Sequence, residues 1–410
     1  MIQQSLIQEV LCSQRERILG QSFGLEREIL SSFPSPHTHA LIISGIRRCG
    51  KSTLLLQLLK SNNTPSLYLN FEDPRLFGFE LSDFRLLDNI ISKEKSEVLF
   101  FDEIQIIDYW EMYIRQKLDE GFKVIITGSN ASLLSRELGT KLTGRHLTKE
   151  LFPFSYREFL AFKSLSANAK SWEKYMNTGG FPEFVKTQNP DILITLLYDI
   201  LIRDIVVRHG IRDINALKRL AIYLISNVGN LVTASKLQHA LNIKSTATVL
   251  EYFSFLENAY LVHFLPKFSF SFKAQMINPR KIYVIDSGIM KAASTSLTKD
   301  ERHKLENLVY WELRRKGKEV YYFNENGCEC DFILMKNNKV EQIVQVCYEL
   351  TPENTAREQR GLHEAMKFFN ADNGIIITNN QADAYVFNKQ QINVIPAYQY
   401  FCNCPPKKVL

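Results

Sequence analysis

No stretch of this chain is apolar for the roughly twenty residues that a membrane-spanning helix needs, so a transmembrane protein is not expected. The opening segment, MIQQSLIQEVLCSQRERILG, lacks a basic start leading into an unbroken apolar run and a small-residue cleavage site. It reads as an amphipathic helix of a cytoplasmic protein, not as a secretory signal. Internal repeats and long low-complexity linkers are also missing. Cysteine is scarce and odd in number, seven in 410 residues, which favours reduced thiols over a disulfide framework. Two Cys-x-Cys pairs, Cys328/Cys330 and Cys402/Cys404, would share a zinc only if the fold joined them, and structural zinc sites usually space their cysteines more widely. A large excess of one charge is absent too. The net charge of +6 permits contact with nucleic acid without demanding it. What remains is an ordinary globular composition, 23% charged and 45% apolar, in a chain long enough for two or three separate cores.

Short apolar runs at 41–44 (LIIS), 66–71 (SLYLNF), 98–101 (VLFF) and 123–127 (KVIIT) alternate with helical segments, the pattern of a parallel sheet. Residues 1–153 therefore read as one α/β domain. From 154 to 215 the pattern is helical, with FSYREFLAF, a break at GGFPEF and then ILITLLYDILIRDIVVRHG. Residues 216–268 give LKRLAIYLISNV, ASKLQHAL and the longer STATVLEYFSFLENAYL running into VHFL; helix, helix, longer helix, strand is the order of a winged helix-turn-helix. A second α/β unit is expected over 269–410, opening at RKIYVIDSGI. Its helices are expected at 301–316 and 355–369, and its strands near 320–323, 332–335, 342–346 and 374–378.

Between the first strand and its helix, Gly45 to Ser52 reads GIRRCGKS. Glycines at Gly45 and Gly50 let the backbone N–H groups of Ile46, Arg47, Arg48 and Cys49 turn inward around phosphate oxygens. Lys51 then reaches the terminal phosphates, and Ser52, followed by Thr53, opens the helix where a hydroxyl can ligate Mg²⁺. VLFFDE ends a buried strand on Asp102, a Walker-B acid for the Mg²⁺ water shell, with Glu103 next to it to orient or deprotonate the attacking water. KVIITGSN should lie between those two strands and deliver Ser129 and Asn130 to the γ-phosphate; the same Ser-Asn ahead of ASLLSREL also suits a helix N-cap. Arg145 in LTGRH is a candidate γ-phosphate arginine, in cis or toward a neighbouring subunit, or a solvated side chain. Arg47 and Arg48 either add charge at the phosphates or pair with Glu72 or Asp73. In the winged helix, Lys244, Ser245, Thr246 and Thr248 stand at the start of the recognition helix, where DNA contacts would be made, though such modules also serve as plain packing units.

GIRRCGKSTLLLQLL, YLNFEDPR, FFDEIQ, ITGSNASLL, GRHLTKELFPFSYREF and GGFPEF together resemble the prokaryotic AAA-type ATPases, archaeal and STAND-like, that carry a C-terminal domain of unknown function similar to the PD-(D/E)XK nuclease fold. The resemblance runs on through KIYVIDSGI and QVCYELTPENTAREQRGL, covering nearly the whole chain. It implies ATP as the nucleotide, Mg²⁺ as its metal, and a P-loop parallel sheet with a helical extension, a winged helix and a restriction-endonuclease-like α/β C-terminal domain. In that last fold a helical Glu, a strand Asp and a Glu-x-Lys bind metal and activate water. Glu306, Asp331 and Gln345-Val346-Cys347 fall at those places. Gln345 could serve only as a neutral ligand and Cys347 cannot supply an ammonium, so a nuclease-like scaffold without cleavage is expected. Two functions follow. One is a nucleotide-driven switch or motor on an unknown protein partner, with a homo-oligomer left open. The other is an ATP-controlled nucleic-acid-binding or nucleolytic protein, for example in DNA maintenance or defence.

Overall fold

The computed structural model describes residues 2–34, 38–128, 144–293, 301–317, 319–387 and 390–402. The chain divides into two compact units, Met1–Phe152 with Asn258–Tyr260, and Pro153–Glu257 with Leu261–Leu410.

The first unit is a parallel sheet of β1 (Ala40–Ser44), β2 (Ser66–Asn70), β3 (Val98–Asp102), β4 (Lys123–Gly128) and β5 (His146–Glu150), in the order β2-β3-β4-β1-β5. β1 and β3 are buried at every position, which is why they read as unbroken apolar runs and not as alternating ones. β4 lies between β1 and β3, where the sequence places it. The N-terminal helix Gln4–Leu19 buries Ile7, Val10 and Leu11. Its Gln14 also closes the edge strand: Nε2 donates to the Asn70 carbonyl at 3.2 Å, and Oε1 accepts from the Asn70 N–H at 2.9 Å. Phe84 and Tyr113, from helices Phe84–Glu94 and Trp110–Asp119, stack at 3.8 Å within the same core.

The second unit begins with helices Tyr156–Lys163, Ala169–Thr178, Pro182–Thr187 and Asp191–Asp199, the last continuing as a π-helical stretch Ile200–Val207. Ser155/Glu158 and Asn168/Ser171 form capping boxes that start the first two. The GGFPEF break has a tertiary cause. A Cβ on Gly179 would sit 2.2 Å from the Asp286 carboxylate, and one on Gly180 2.3 Å from the Phe154 carbonyl. Asp286 accepts from the N–H groups of Gly180, Gly288 and Ile289 at 2.6, 2.8 and 3.3 Å, so GGFPEF and IDSG are two halves of one clasp.

Helices Ile214–Ser226, Ala234–Ala240 and Thr246–Asn258 follow, with β6 (Leu231–Val232), β7 (Val262–Leu265) and β8 (Arg280–Val284) in an antiparallel sheet ordered β6-β8-β7. This corrects one expectation. Arg280–Val284 is the central strand of this three-stranded sheet and does not open the C-terminal one.

The C-terminal sheet is mixed. It comprises β9 (Glu319–Glu325), β10 (Cys328–Lys336), β11 (Lys339–Val346), β12 (Asn373–Thr378), β13 (Asp383–Phe387) and β14 (Gln390–Pro396), in the order β13-β14-β12-β11-β10-β9. Helices Glu301–Arg315 and Thr355–Phe368 lie within a residue of the expected spans. β13 and β14 were not visible in the sequence. The first is short, and in the second the buried Ile392 and Val394 alternate with polar residues and end on a proline.

Candidate functional site

The 45–50 loop leaves the C-terminal edge of the first sheet directly after β1. Gly45 has φ +151 and a Cβ there would lie 2.1 Å from the Leu151 carbonyl, so only glycine fits. Gly50, at φ +102, caps the helix Lys51–Ser61. The Lys51 ammonium is buried and donates to the carbonyls of Gly45 and Ile46 at 3.1 Å each, so it is held inside the loop. Cys49 is buried as well. Its thiol donates to the Leu151 carbonyl at 3.4 Å, and burial raises its pKa.

Behind the loop stands a residue that the motif does not contain. Arg27 is 4% exposed, and its guanidinium donates to the carbonyls of Cys49 and Phe152 at 2.8 Å each. Its backbone N–H donates to Gln57 Oε1 at 3.3 Å, while Gln57 Nε2 donates to the carbonyls of Phe23 and Leu25 at 2.9 and 2.7 Å. Gln57 thus fastens the 23–27 segment to the phosphate-loop helix.

At the end of β3, Asp102 is 1% exposed and is bonded by three hydroxyls, those of Thr127, Ser52 and Tyr68, the last at 3.1 Å. Burial raises its pKa and the neighbouring Glu103 adds to this; the hydroxyl donors oppose it. Thr127 on β4 also accepts the Glu103 N–H at 3.0 Å, so one side chain ties both acids together. Glu103 itself has φ +52, which turns the chain sharply after the strand, and the Gln105 amide donates to its carboxylate. Sequence reasoning missed Arg27, Tyr68, Thr127 and Gln105. Only Thr127 had a signal, its adjacency to the expected Ser129 and Asn130, and those two lie outside the described residues.

For Arg145, only the reading in cis is corrected. The residue precedes β5, which runs parallel to β1 with Ala40 opposite His146, and therefore stands at the sheet edge away from the loop. There its guanidinium pairs with Asp119 and donates to the Thr38 carbonyl at 3.3 Å, so it does not reach this chain's own phosphate loop. Asp73 is engaged by Arg75, at 2.9 Å in the ion pair, and by Gln14 at 3.3 Å, rather than by Arg47 or Arg48. Arg75 holds the Asp73 carboxyl down to about 2.

In the second unit, Ser245 and Thr248, both half-buried, are bonded to each other. Ser245 Oγ accepts the Thr248 N–H at 3.1 Å and meets the Thr248 hydroxyl at 3.0 Å, which caps the helix Thr246–Asn258. Thr246 is half-buried and Lys244 is exposed. In the C-terminal sheet Gln345 braces its neighbours: Oε1 accepts the Asp331 N–H at 3.2 Å and Nε2 donates to Glu358 at 2.7 Å. Cys347 donates its thiol to the Glu349 carbonyl at 3.2 Å, and burial pushes it up to about 11. Glu306 and Asp331 do converge, on Lys281, a residue outside the expected motif. Among the described residues no three His, Cys, Asp or Glu side chains are grouped to hold a metal ion. Of the two Cys-x-Cys pairs, Cys330 donates to the Val344 carbonyl at 3.4 Å, and Cys404 is outside the described residues. Among the described residues no helix is long and apolar enough to cross a membrane.

Residues 37–160 match the AAA domain family, and residues 169–301 match a domain of unknown function (DUF8612). That second match, C-terminal to the AAA domain, runs from the helix Ala169–Thr178 to the start of the helix Glu301–Arg315 and stops before the C-terminal sheet. In fold comparison the chain aligns with the Orc1 protein of Aeropyrum pernix in complex with DNA at a TM-score of 0.29 and 11% identity, over 65% of this chain and 88% of that one. With Cdc6p of Pyrobaculum aerophilum the values are 0.26 and 12%, over 73% and 94%. Scores this low say nothing of function. By sequence, an uncharacterized protein of Haemophilus influenzae is 33% identical over 78% of this chain and 85% of its own. The uncharacterized protein MJ1544 of Methanocaldococcus jannaschii is 36% identical over 81% of this chain and 80% of its own. The chain belongs to the family of these two proteins, and its N-terminal unit is an AAA domain with a P-loop.

Proposed function

We propose that the chain binds Mg·ATP, hydrolyses it to ADP and phosphate, and uses the cycle as a switch or motor on a protein partner. One observation carries this reading: the buried Lys51 ammonium, the Ser52–Asp102–Thr127 hydroxyl–carboxylate chain and Glu103 share the C-terminal edge of one parallel sheet. The Gly45–Gly50 N–H groups and the helix N-terminus suit an anion, and Lys51 neutralises it. The donor set suits Mg²⁺ as well. Ser52 and Asp102 are hard oxygen ligands, and the raised pKa of a buried Asp102 marks a carboxylate that a cation would stabilise. Bound there, Mg²⁺ would neutralise charge on the phosphate oxygens. Glu103, oriented by Gln105, accepts the proton of the attacking water.

Calorimetry tests the assignment. Lys51→Ala should lose ATP binding, and Glu103→Gln should bind ATP without turning it over; unchanged affinity in Lys51→Ala refutes the site.

For the second unit, the helix–strands–helix–strand order from Glu301 to Thr378 supports a restriction-endonuclease-like scaffold, and Gln345 and Cys347 where such nucleases carry an acid and a lysine support its not cleaving. The alternative, a nucleic-acid-binding protein under ATP control, is favoured by one feature: exposed Lys244 stands ahead of the helix Thr246–Asn258 within a three-helix, three-strand winged-helix arrangement.

A further inference from the structure

β8 carries a lysine out of the β6-β8-β7 sheet and into a nest of carboxylates. Lys281 pairs with Leu231 and Leu265 through its backbone, and its side chain is 4% exposed. Its ammonium lies 2.8 Å from Asp331 Oδ1, 3.1 Å from Glu306 Oε1 and 2.7 Å from Glu329 Oε1. The ammonium donates to Asp331 and to Glu306, and Glu329 adds an ion pair.

Each acid is fixed by its own element. Glu306 comes from the helix Glu301–Arg315, and Tyr283 on β8 donates to the same oxygen at 2.7 Å. Asp331 sits where the β10–β9 register shifts between Cys330 and Ile333, a bulge that re-aims its side chain; its second oxygen accepts the Val346 N–H at 2.9 Å. Glu329 stands at the solvent side, where Gly361 lets the helix Thr355–Phe368 come so close that a Cβ would be 2.1 Å from the Glu329 carbonyl. A cavity of about 310 Å³ lined by Glu329, Asp331, Gln345, Arg357 and Glu358 opens beyond it.

Two buried carboxylates, Glu306 and Asp331, with Glu329 at their solvent side, repel one another and cost solvation unless a cation sits among them. Burial alone would discharge the Lys281 ammonium, yet Asp331 and Glu306 hold its pKa well above the ordinary lysine value. The oxygens lie 2.7 to 3.1 Å from the nitrogen, the distance of charged hydrogen bonds and close ion pairs.

We propose that Lys281 is the resident cation of this site, its ammonium standing where a divalent metal would otherwise be required, and that it ties the β6-β8-β7 sheet to the C-terminal sheet without metal. The inference deepens the reading of the C-terminal domain as non-cleaving and rests on it. It gives that reading a different cause, an occupied cation position instead of a missing one.

The test counts Mn²⁺ bound to the full, nucleotide-free chain by electron paramagnetic resonance. Wild type and Asp331→Asn should bind the same background amount. Lys281→Met should gain one Mn²⁺ per chain, and the double variant with Asp331→Asn should lose it again. The melting temperature of Lys281→Met should fall by roughly 10 °C, as for a broken buried ion pair, and rise again with Mn²⁺. If Lys281→Met does not fold in metal-free buffer, its refolding with Mn²⁺ is the expected result. The proposal is overturned if wild type holds a Mn²⁺ that Asp331→Asn removes. It is equally overturned if Lys281→Met gains no Mn²⁺, or stays unfolded with and without it. Metal-dependent cleavage of DNA by wild type, abolished by Asp331→Ala, would instead refute the non-cleaving reading itself.

Discussion

Arg27 offers the sharpest test of how the phosphate loop is held. Replacing it with methionine keeps much of the apolar stem and removes two hydrogen bonds from a charged donor, at 2.8 Å to Cys49 and 2.8 Å to Phe152. Bonds of this kind contribute about 1.5–3 kcal/mol each, and the two buried carbonyls would be left without that donor. Against this stands the desolvation cost of the guanidinium, which the variant no longer bears. The balance is a loss of about 3 kcal/mol in the first unit. The loop should feel it directly, because the Gly50 backbone lies close enough that a Cβ there would be 3.2 Å from the Arg27 guanidinium. Freeing about one residue of backbone costs about 1–2 kcal/mol to re-order on binding, so ATP affinity should fall about tenfold. Arg27→Lys keeps the charge and one bond, and should fall between the two. Calorimetric titration with ATP reads the affinity, and the first thermal transition reads the stability. An Arg27→Met protein with an earlier transition but ATP affinity within about twofold of wild type would make Arg27 a structural residue only, and would refute its role in positioning the loop.

Thr127→Val removes the hydroxyl that bonds Asp102 and accepts the Glu103 N–H, so turnover should drop by roughly 10²-fold with ATP binding largely kept, as single-turnover assays with titration would show. Burial lifts the Asp286 carboxyl to about 6 despite its three backbone donors. Because this pKa is higher folded than unfolded, the folded state holds the proton more tightly. Stability from this group therefore falls as pH rises from about 4 to about 6 and is level above, by about 3 kcal/mol in all. Urea unfolding of Asp286→Asn across that window should lack the slope, and curves parallel to wild type would contradict the sign. If the winged helix binds duplex DNA, anisotropy should show binding that weakens steeply with salt and with Lys244→Glu; no binding at low salt, with or without nucleotide, leaves it a packing module.

The parts legible in the sequence are those whose physics is local. Gly45, Gly50, Lys51 and Ser52 lie within one turn and one loop, and each answers to phosphate charge, so their spacing alone carries the reading. The same holds for Asp102 at the end of an apolar run, and for the place of β4, which follows from the crossover pattern of parallel strands. What escaped depends on distant pairs. Arg27 acquires meaning only when Phe152 closes on the loop, and Gly179 only when Asp286 arrives beneath it. β8 was read forward into the next domain because its apolar run says nothing of its partners, which are β6 and β7 behind it. Arg145 was attractive by composition, yet parallel pairing with β1 fixes it at the opposite edge.

The C-terminal constellation shows the same limit in its strongest form, because the motif names the acids and leaves out the cation beside them. Cys347 indeed offers no ammonium: its thiol is bonded to the Glu349 carbonyl and held neutral by burial. Gln345 has both ends of its amide engaged, by the Asp331 N–H and by Glu358, so a carboxylate in its place would face Glu358 at close range. Neither fact, however, decides whether the acids are neutralised. That depends on where positive charge sits in space, and the chain supplies it from β8, a strand of the β6-β8-β7 sheet. A lysine moved between elements is invisible to any pattern written along one strand, while Coulomb attraction depends only on the distance between the charges. The acids of the motif and the cation that satisfies them thus come from different elements, and what the site can do is set by their convergence.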